Sequence, residues 1–305
     1  MSFPARRLRY VVAAVLAASV CACGGTVQTG GGTPTRVAVL SAFPAEMAPV
    51  LAQARVDETV VINDRNFRVG TLAGVPVVIG LTGIGLANAT ATTQALLEQF
   101  DVAGIVVSAV AGSALQIGDV MVPVRWEFKG GTSYAVDPDW LKLAEGIAAP
   151  EMLSLERCTV PVSLPAKGTV CMVEQPVVVV GGVGQSTDVN GGQPFACQPT
   201  GNDVFGCDVT ANTPAAIPAA DRRALQAAVA DAEVPVAVDN ETAAIAREAA
   251  MRGVRFIAFR AVSDGAGDPL NLPGYPFQFF AYYRLAARNA AAATAAFLEQ
   301  LAMAR

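Results

Sequence analysis

The stretch Val254–Asp268, VRFIAFRAVSDGAGD, most limits what this chain can fold into. Phe256, Ile257, Ala258 and Phe259 follow one another with no polar residue between them. A strand with one wet face alternates; a run without alternation is covered on both faces, as in a parallel sheet. The same texture recurs at Arg36–Ser41, Val75–Leu81, Ala103–Ala109, Pro176–Val180 and, shorter, Val234–Val238. Strand-like segments at Val60–Arg68 and Met121–Phe128 join them, with turns at Asn63-Asp64 and Ala73-Gly74. Helical segments lie between: one opening at Pro44, then Leu86–Phe100, Val136–Ala148, Ala219–Glu233, Asp239–Arg252 and an Ala-rich Phe277–Met303. Alternation of buried strands with helices predicts the α/β class. Residues Gln185–Pro218 show no periodicity and read as a functional loop or an insertion.

Composition sets further bounds. With 305 residues, 53% of them hydrophobic, the chain can build one large domain after loss of a leader. The net charge is −5 and no basic run occurs beyond the first ten residues, so a nucleic-acid partner is not expected. The chain has no histidine, which excludes Ser-His-Asp and Cys-His catalysis and every His-ligated metal site. Acid–base chemistry then falls to carboxylates, Lys, Tyr or Cys.

The N-terminus sets the compartment. Arg6, Arg7 and Arg9 precede a short apolar run, Val11–Val20, the pattern of an export signal too short to span a bilayer. Val20-Cys21-Ala22-Cys23 resembles a lipobox, with Cys23 the lipidation candidate because Val20 is a poor residue before Cys21. An ordinary cleaved signal is the alternative. Residues 1–23 thus read as a signal peptide with lipobox, 24–35 as a flexible linker and 36–305 as the domain. The expected location is the periplasm or cell envelope, with membrane contact only through the lipid anchor. Cys158, Cys171, Cys197 and Cys207 remain, an even number that in an exported chain suggests disulfides. Their spacing suggests neighbouring pairs, Cys158–Cys171 and Cys197–Cys207, without fixing the connectivity. Loops of this size gain about 2–3 kcal/mol each in the chain-entropy model.

Three carboxylates share an address. Glu46, Glu241 and Asp264 each follow a buried strand, at the edge where α/β sheets bind ligands. Each position also suits a cap or a helix-dipole partner. Ala111, Gly112 and Ser113 follow the Ala103–Ala109 strand and are small enough to let a ligand approach backbone. Gly83-Ile84-Gly85 opens a helix but lacks the third glycine of a dinucleotide fingerprint, so an oxidoreductase reading has little to rest on.

The segments VAVLSAFPAEM, LTGIGLANATATTQALLEQF, VSAVAGSALQIGDVMVP, VDNETAAIA and FIAFRAVSDGAGD, in this order, resemble the nucleoside phosphorylase/nucleosidase superfamily. The likeness is nearest to 5′-methylthioadenosine/S-adenosylhomocysteine nucleosidases and extends to exported relatives like the bark storage proteins, where a cysteine pair like Cys158 and Cys171 recurs. It implies a single-domain three-layer sandwich with a mixed, mostly parallel central sheet. It implies that Asp264 protonates the departing purine, that Glu46 activates water and that Glu241 binds the ribose hydroxyls. Ser263 would orient Asp264, while Ala111, Gly112 and Ser113 line the pocket. Phe43 and an aromatic such as Phe279 would flank the ligand. Asn240 stands where nucleosidases usually carry a methionine against the ribose. The base would lie near Ser186 or near Val204 and Phe205.

Phosphorolysis needs a cationic clamp for a dianion. Phosphorylases of this superfamily carry arginine in the segments that here read SAFPAEM and SAVAGS, so the resemblance favours hydrolysis. The expected partner is a small purine nucleoside, with no metal or organic cofactor. The alternatives are a nucleoside-binding or storage-like lipoprotein without turnover, and a nucleoside phosphorylase. Homo-oligomers are usual in the resembled family.

Overall fold

In the computed structural model the apolar runs become the middle of a twelve-stranded mixed sheet. The structure describes residues 35–149, 151–161, 168–199, 203–207 and 234–304. The leader, nearly all of the tether and the helix expected at Ala219–Glu233 lie outside the described residues.

β1 (Arg36–Ser41) leads through Ala42 and Phe43 into α1 (Pro44–Leu51). β2 (Arg55–Ile62), β3 (Arg65–Leu72) and β4 (Val75–Leu81) form an antiparallel meander. Its two tight turns are at Asn63-Asp64 and Ala73-Gly74, all four residues in the left-handed region. α2 (Leu86–Gln99) returns the chain to β5 (Val102–Gln116). Short strands follow: β6 (Val120–Val122), β7 (Arg125–Phe128) and β8 (Ser133–Ala135). Then come α3 (Pro138–Ile147) and the hairpin-like pair β9 (Cys158–Thr159) and β10 (Val170–Cys171). β11 (Val178–Val180), β12 (Val183–Ser186), β13 (Val236–Asp239), α4 (Thr242–Met251), β14 (Arg255–Ala266) and α5 (Phe277–Met303) complete the set.

The main path through the sheet is β2-β3-β4-β1-β5-β13-β12-β7-β8. β5 is its axis: β1 lies parallel on one edge and β14 parallel on the other. Phe256–Phe259 are buried on both faces, as the absence of alternation requires. α1, α3 and β14 pack on the long α5, whose apolar stripe includes Tyr283, Ala287, Phe297 and Leu298, while α2 packs on α4. The result is the three-layer α/β sandwich. Among the described residues no helix is long and apolar enough to cross a membrane.

Four expectations need correction. The Ala103–Ala109 strand does not end before Val110; β5 continues through Gly112 and Ser113 to Gln116, because β14 accompanies it along nearly its whole length. The focal strand does not release Ser263–Gly267 as a loop either: β14 reaches Ala266, with register shifts on both sides of Asp264. Met121–Phe128 is two strands, since Pro123 cannot donate to a ladder and the partners change from β11 and β14 to β12 and β8. Gln185 and Ser186, at the start of the aperiodic segment, are not loop. Val183–Ser186 forms β12, where Gly184 lies so close to Trp126 that a Cβ would stand 2.2 Å from the indole. The glycine that hid the strand from its pattern is the one its packing demands.

Candidate active site

The site lies where β5 changes neighbours. β1 pairs with it as far as Val107, and β13 joins, antiparallel, at Gly112 and Ser113. Between these points no strand covers that edge among the described residues, so its backbone groups need other partners. They find side chains. The Ser41 hydroxyl donates to Ser108 O at 2.7 Å, the Val110 N–H donates to Glu46 Oε1 at 2.8 Å, and Arg260 Nη1 donates to Val110 O at 2.8 Å.

Glu46 is the third residue of α1. Its Oε2 accepts the N–H groups of Ala42 at 2.6 Å and Phe43 at 3.3 Å, which satisfies donors left open by the helix start. It is 1% exposed. Burial pushes its carboxyl up to about 8, against the pull of the Arg260 guanidinium and the backbone N–H groups. Glu241 is the N-cap residue of α4, and its Oε1 accepts the Gly85 N–H at 2.9 Å. Burial and the neighbouring Asp239 hold it above the usual carboxylate range, opposed by Arg260.

Asp264 sits at the irregularity in β14, opposite Gly112. A Cβ on Gly112 would stand 2.7 Å from Asp264 Oδ2, so only glycine leaves room for this carboxylate. Ser263 Oγ donates to Asp264 Oδ1 at 2.7 Å. Asp264 keeps some surface open toward the cavity, yet the surrounding walls remove enough water to push it up to about 6, with Ser263 opposing.

Sequence reasoning missed two charged residues here. Arg260 is 1% exposed and stands among three carboxylates: Glu46 at 3.9 Å, Glu241 at 3.4 Å and Asp239 in a direct ion pair. Its signal was present, since an arginine inside the apolar run FIAFRAV must find a buried partner. Asp239 also accepts from the Ser186 hydroxyl and from Thr242, and so caps α4.

Glu46, Glu241, Arg260, Ser263 and Asp264 border one cavity of about 160 Å3. Phe43, Ala111, Gly112, Asn240, Phe205 and Phe279 border it too. Ser113 does not: its hydroxyl turns back to accept the Leu115 N–H at 3.3 Å, because β13 covers the strand at that point. Ser186 is committed to Asp239 and likewise stands outside the wall, whereas Val204 belongs to it. Asn240 shares a 2.9 Å hydrogen bond with the Thr187 hydroxyl. Among the described residues no three His, Cys, Asp or Glu side chains are grouped as a metal site would need.

Part of the apolar wall comes from the described residues of the insertion, which form a lid. Val189, Asn190, Phe195, Val204 and Phe205 reach the cavity from it, beside Tyr275, Phe279 and Phe280. Phe195 stacks on Phe205 at 5.8 Å, and Phe205 meets Phe280 at 6.3 Å. The Cys197–Cys207 disulfide closes the segment, and the second pair is Cys158–Cys171, so both links join sequence neighbours. Asp203 ties the lid down by accepting from the Tyr283 hydroxyl at 2.8 Å and from Arg284 Nε at 2.8 Å. On the other flank Asn88 Nδ2 donates to Phe195 O at 2.7 Å.

The sequence profile of the phosphorylase superfamily matches residues 36–301. The chain belongs to the phosphorylase superfamily. This superfamily member is 38% identical over 185 residues to an uncharacterized protein of Mycobacterium tuberculosis, covering 56% of this chain and 75% of that one. It is 26% identical over 237 residues to the 5′-methylthioadenosine/S-adenosylhomocysteine nucleosidase of Aeromonas salmonicida, covering 76% of this chain and 87% of that one. The nucleosidase of Neisseria meningitidis, solved in complex with methylthio-immucillin-A, matches with a TM-score of 0.58 and 21% identity, over 87% of this chain and 99% of that chain. The chemistry-bearing set of this member is three carboxyls with elevated pKa, Glu46, Glu241 and Asp264, with Arg260 beside the first two, around a cavity that is otherwise mostly apolar. Such a set can hold sugar hydroxyls, deliver a proton and stabilise positive charge.

Proposed function

We propose that this protein hydrolyses the N-glycosidic bond of a purine nucleoside of the methylthioadenosine or adenosine kind. Breaking that bond builds positive charge on the sugar and electron density on the base. Asp264, held partly protonated near neutrality, gives its proton to the base and so improves the leaving group. Glu46 takes a proton from the water that attacks the sugar carbon, and Glu241 accepts hydrogen bonds from the ribose hydroxyls. An ionised carboxylate beside the sugar, Glu241 in this reading, stabilises the developing cation. The observation that carries this reading is the meeting of Glu46, Glu241 and Asp264 on one small cavity.

Water rather than phosphate is supported by the state of Arg260. Its guanidinium is committed to Glu46, Asp239 and Glu241, which leaves no unneutralised cation for an incoming dianion. Two disulfides fit an exported protein, and a lipid anchor at Cys23 would hold it at the envelope.

One feature favours the second reading, nucleoside binding without turnover. A Glu46 pKa of about 8 leaves that carboxyl largely protonated at pH 7 in the free protein, and a protonated carboxyl cannot accept a proton from water. The test is incubation of the oxidised protein with methylthioadenosine, adenosine and inosine, with and without phosphate. Free purine and free sugar, independent of phosphate, are expected. Sugar 1-phosphate as the product would reassign the reaction to phosphorolysis. Calorimetric binding of all three without release of any base would make this a binding protein.

A further inference from the structure

We propose that Asn190 reads the edge of the purine base, donating from its side-chain amide to ring nitrogen N1 or N3. This rests on the nucleoside reading above and assigns the base a partner on the lid. Asn190 borders the cavity, and its Nδ2 is buried without a hydrogen-bond partner. A buried amide N–H left unpaired forfeits its hydration with nothing in return, so a native site holds one where a ligand completes it.

The backbone of the same residue is already used. The Asn190 N–H donates to Asp188 Oδ1 at 3.1 Å, and the Asn190 carbonyl accepts the Gln193 N–H at 3.2 Å. Those bonds fix the turn and leave the side chain as the group free to meet a ligand. It lies beside the start of α2, where a Cβ on Gly85 would stand in ordinary contact with Nδ2 at 3.5 Å. Gly85 also carries φ +94, which favours glycine.

The choice of base over sugar follows from the company the side chain keeps, since a hydroxyl and a ring nitrogen can each accept its amide hydrogen. Its companions on the lid, Val189, Phe195, Val204 and Phe205, are apolar. A flat heterocycle with apolar faces and a polar rim fits that combination.

The experiment is a cycle between the side chain and the ring nitrogens, read as binding of adenosine, 1-deazaadenosine and 3-deazaadenosine by titration calorimetry to wild type and Asn190→Ala. The Asn190→Ala change should weaken adenosine about tenfold, and its effect should fall to within about twofold on one of the deaza analogues. The wild type alone should bind that analogue about tenfold more weakly than adenosine, a readout that needs no variant. Equal weakening across all three ligands, or no weakening, overturns the assignment while leaving the nucleoside reading intact. Failure of the wild type to bind adenosine overturns both.

Discussion

The floor of the cavity and its lid are ordered by different means. On the floor, Glu46 and Glu241 are fixed by backbone N–H groups of Ala42, Val110 and Gly85, and Asp264 by a neighbouring hydroxyl, all on elements of the buried sheet and its helices. Moving any of them means opening the core. Among its described residues the lid carries an isolated bridge between Gln198 and Gly206 and is held by one disulfide, ring contacts, Asp203 and the Asn88 side chain. Its order can be lost without unfolding the sheet. Proton transfer needs atoms held to fractions of an ångström and belongs on the first kind of support; selection of a ligand tolerates the second.

That contrast can be broken by changing one side at a time. The largest effect should come from the floor: Asp264→Asn should lower kcat about 10²–10⁴-fold, with KM changed only a few-fold, in a steady-state assay of base release. A large rise in KM instead would make Asp264 a binding group. On the lid, Cys197→Ser with Cys207→Ser should do the reverse, raising KM about tenfold with kcat held within about threefold. The melting temperature should fall by several degrees, given about 2–3 kcal/mol for a loop of this size.

The smallest effect is in the pH dependence of stability. Glu46 is raised from 4.5 to about 8 and Asp264 from 3.8 to about 6, so the folded protein binds protons that the unfolded chain has released. Their contribution to stability is complete below about pH 4 and is lost as the pH rises toward 8. Asp264→Asn should flatten the lower part of this decline, between about pH 4 and 6, in melting curves. The Cys197→Ser/Cys207→Ser protein should keep the wild-type slope, because its change lies in the lid. A slope altered by the lid variant would mean that the two regions are not independent.

The sequence was legible where chemistry follows from burial. Unbroken apolar runs located β1, β4, β5 and β14, and the strand exits pointed to Glu46, Glu241 and Asp264. Strand length was not legible, because Val110–Gln116 and Ser263–Ala266 consist of small and polar residues that pair only when each has the other beside it. β12 was hidden by Gly184, the glycine placed there for Trp126. Arg260 could have been found as a lone charge in an apolar run. Asn190 and Phe195 could not, since the lid has no period and its contacts to α5 cross some eighty residues of sequence, as Asp203 to Tyr283 does.

The Cys197–Cys207 link has a practical consequence for anyone preparing this protein. Recombinant material made in a host whose cytosol keeps thiols reduced will carry an intact body and an unfinished cover. It will look sound by circular dichroism, and yet melt several degrees lower and bind weakly. Secretory production, or oxidative refolding followed by a free-thiol titration, is therefore the first quality check before any inactivity is held against the roles proposed for Glu46, Glu241 and Asp264.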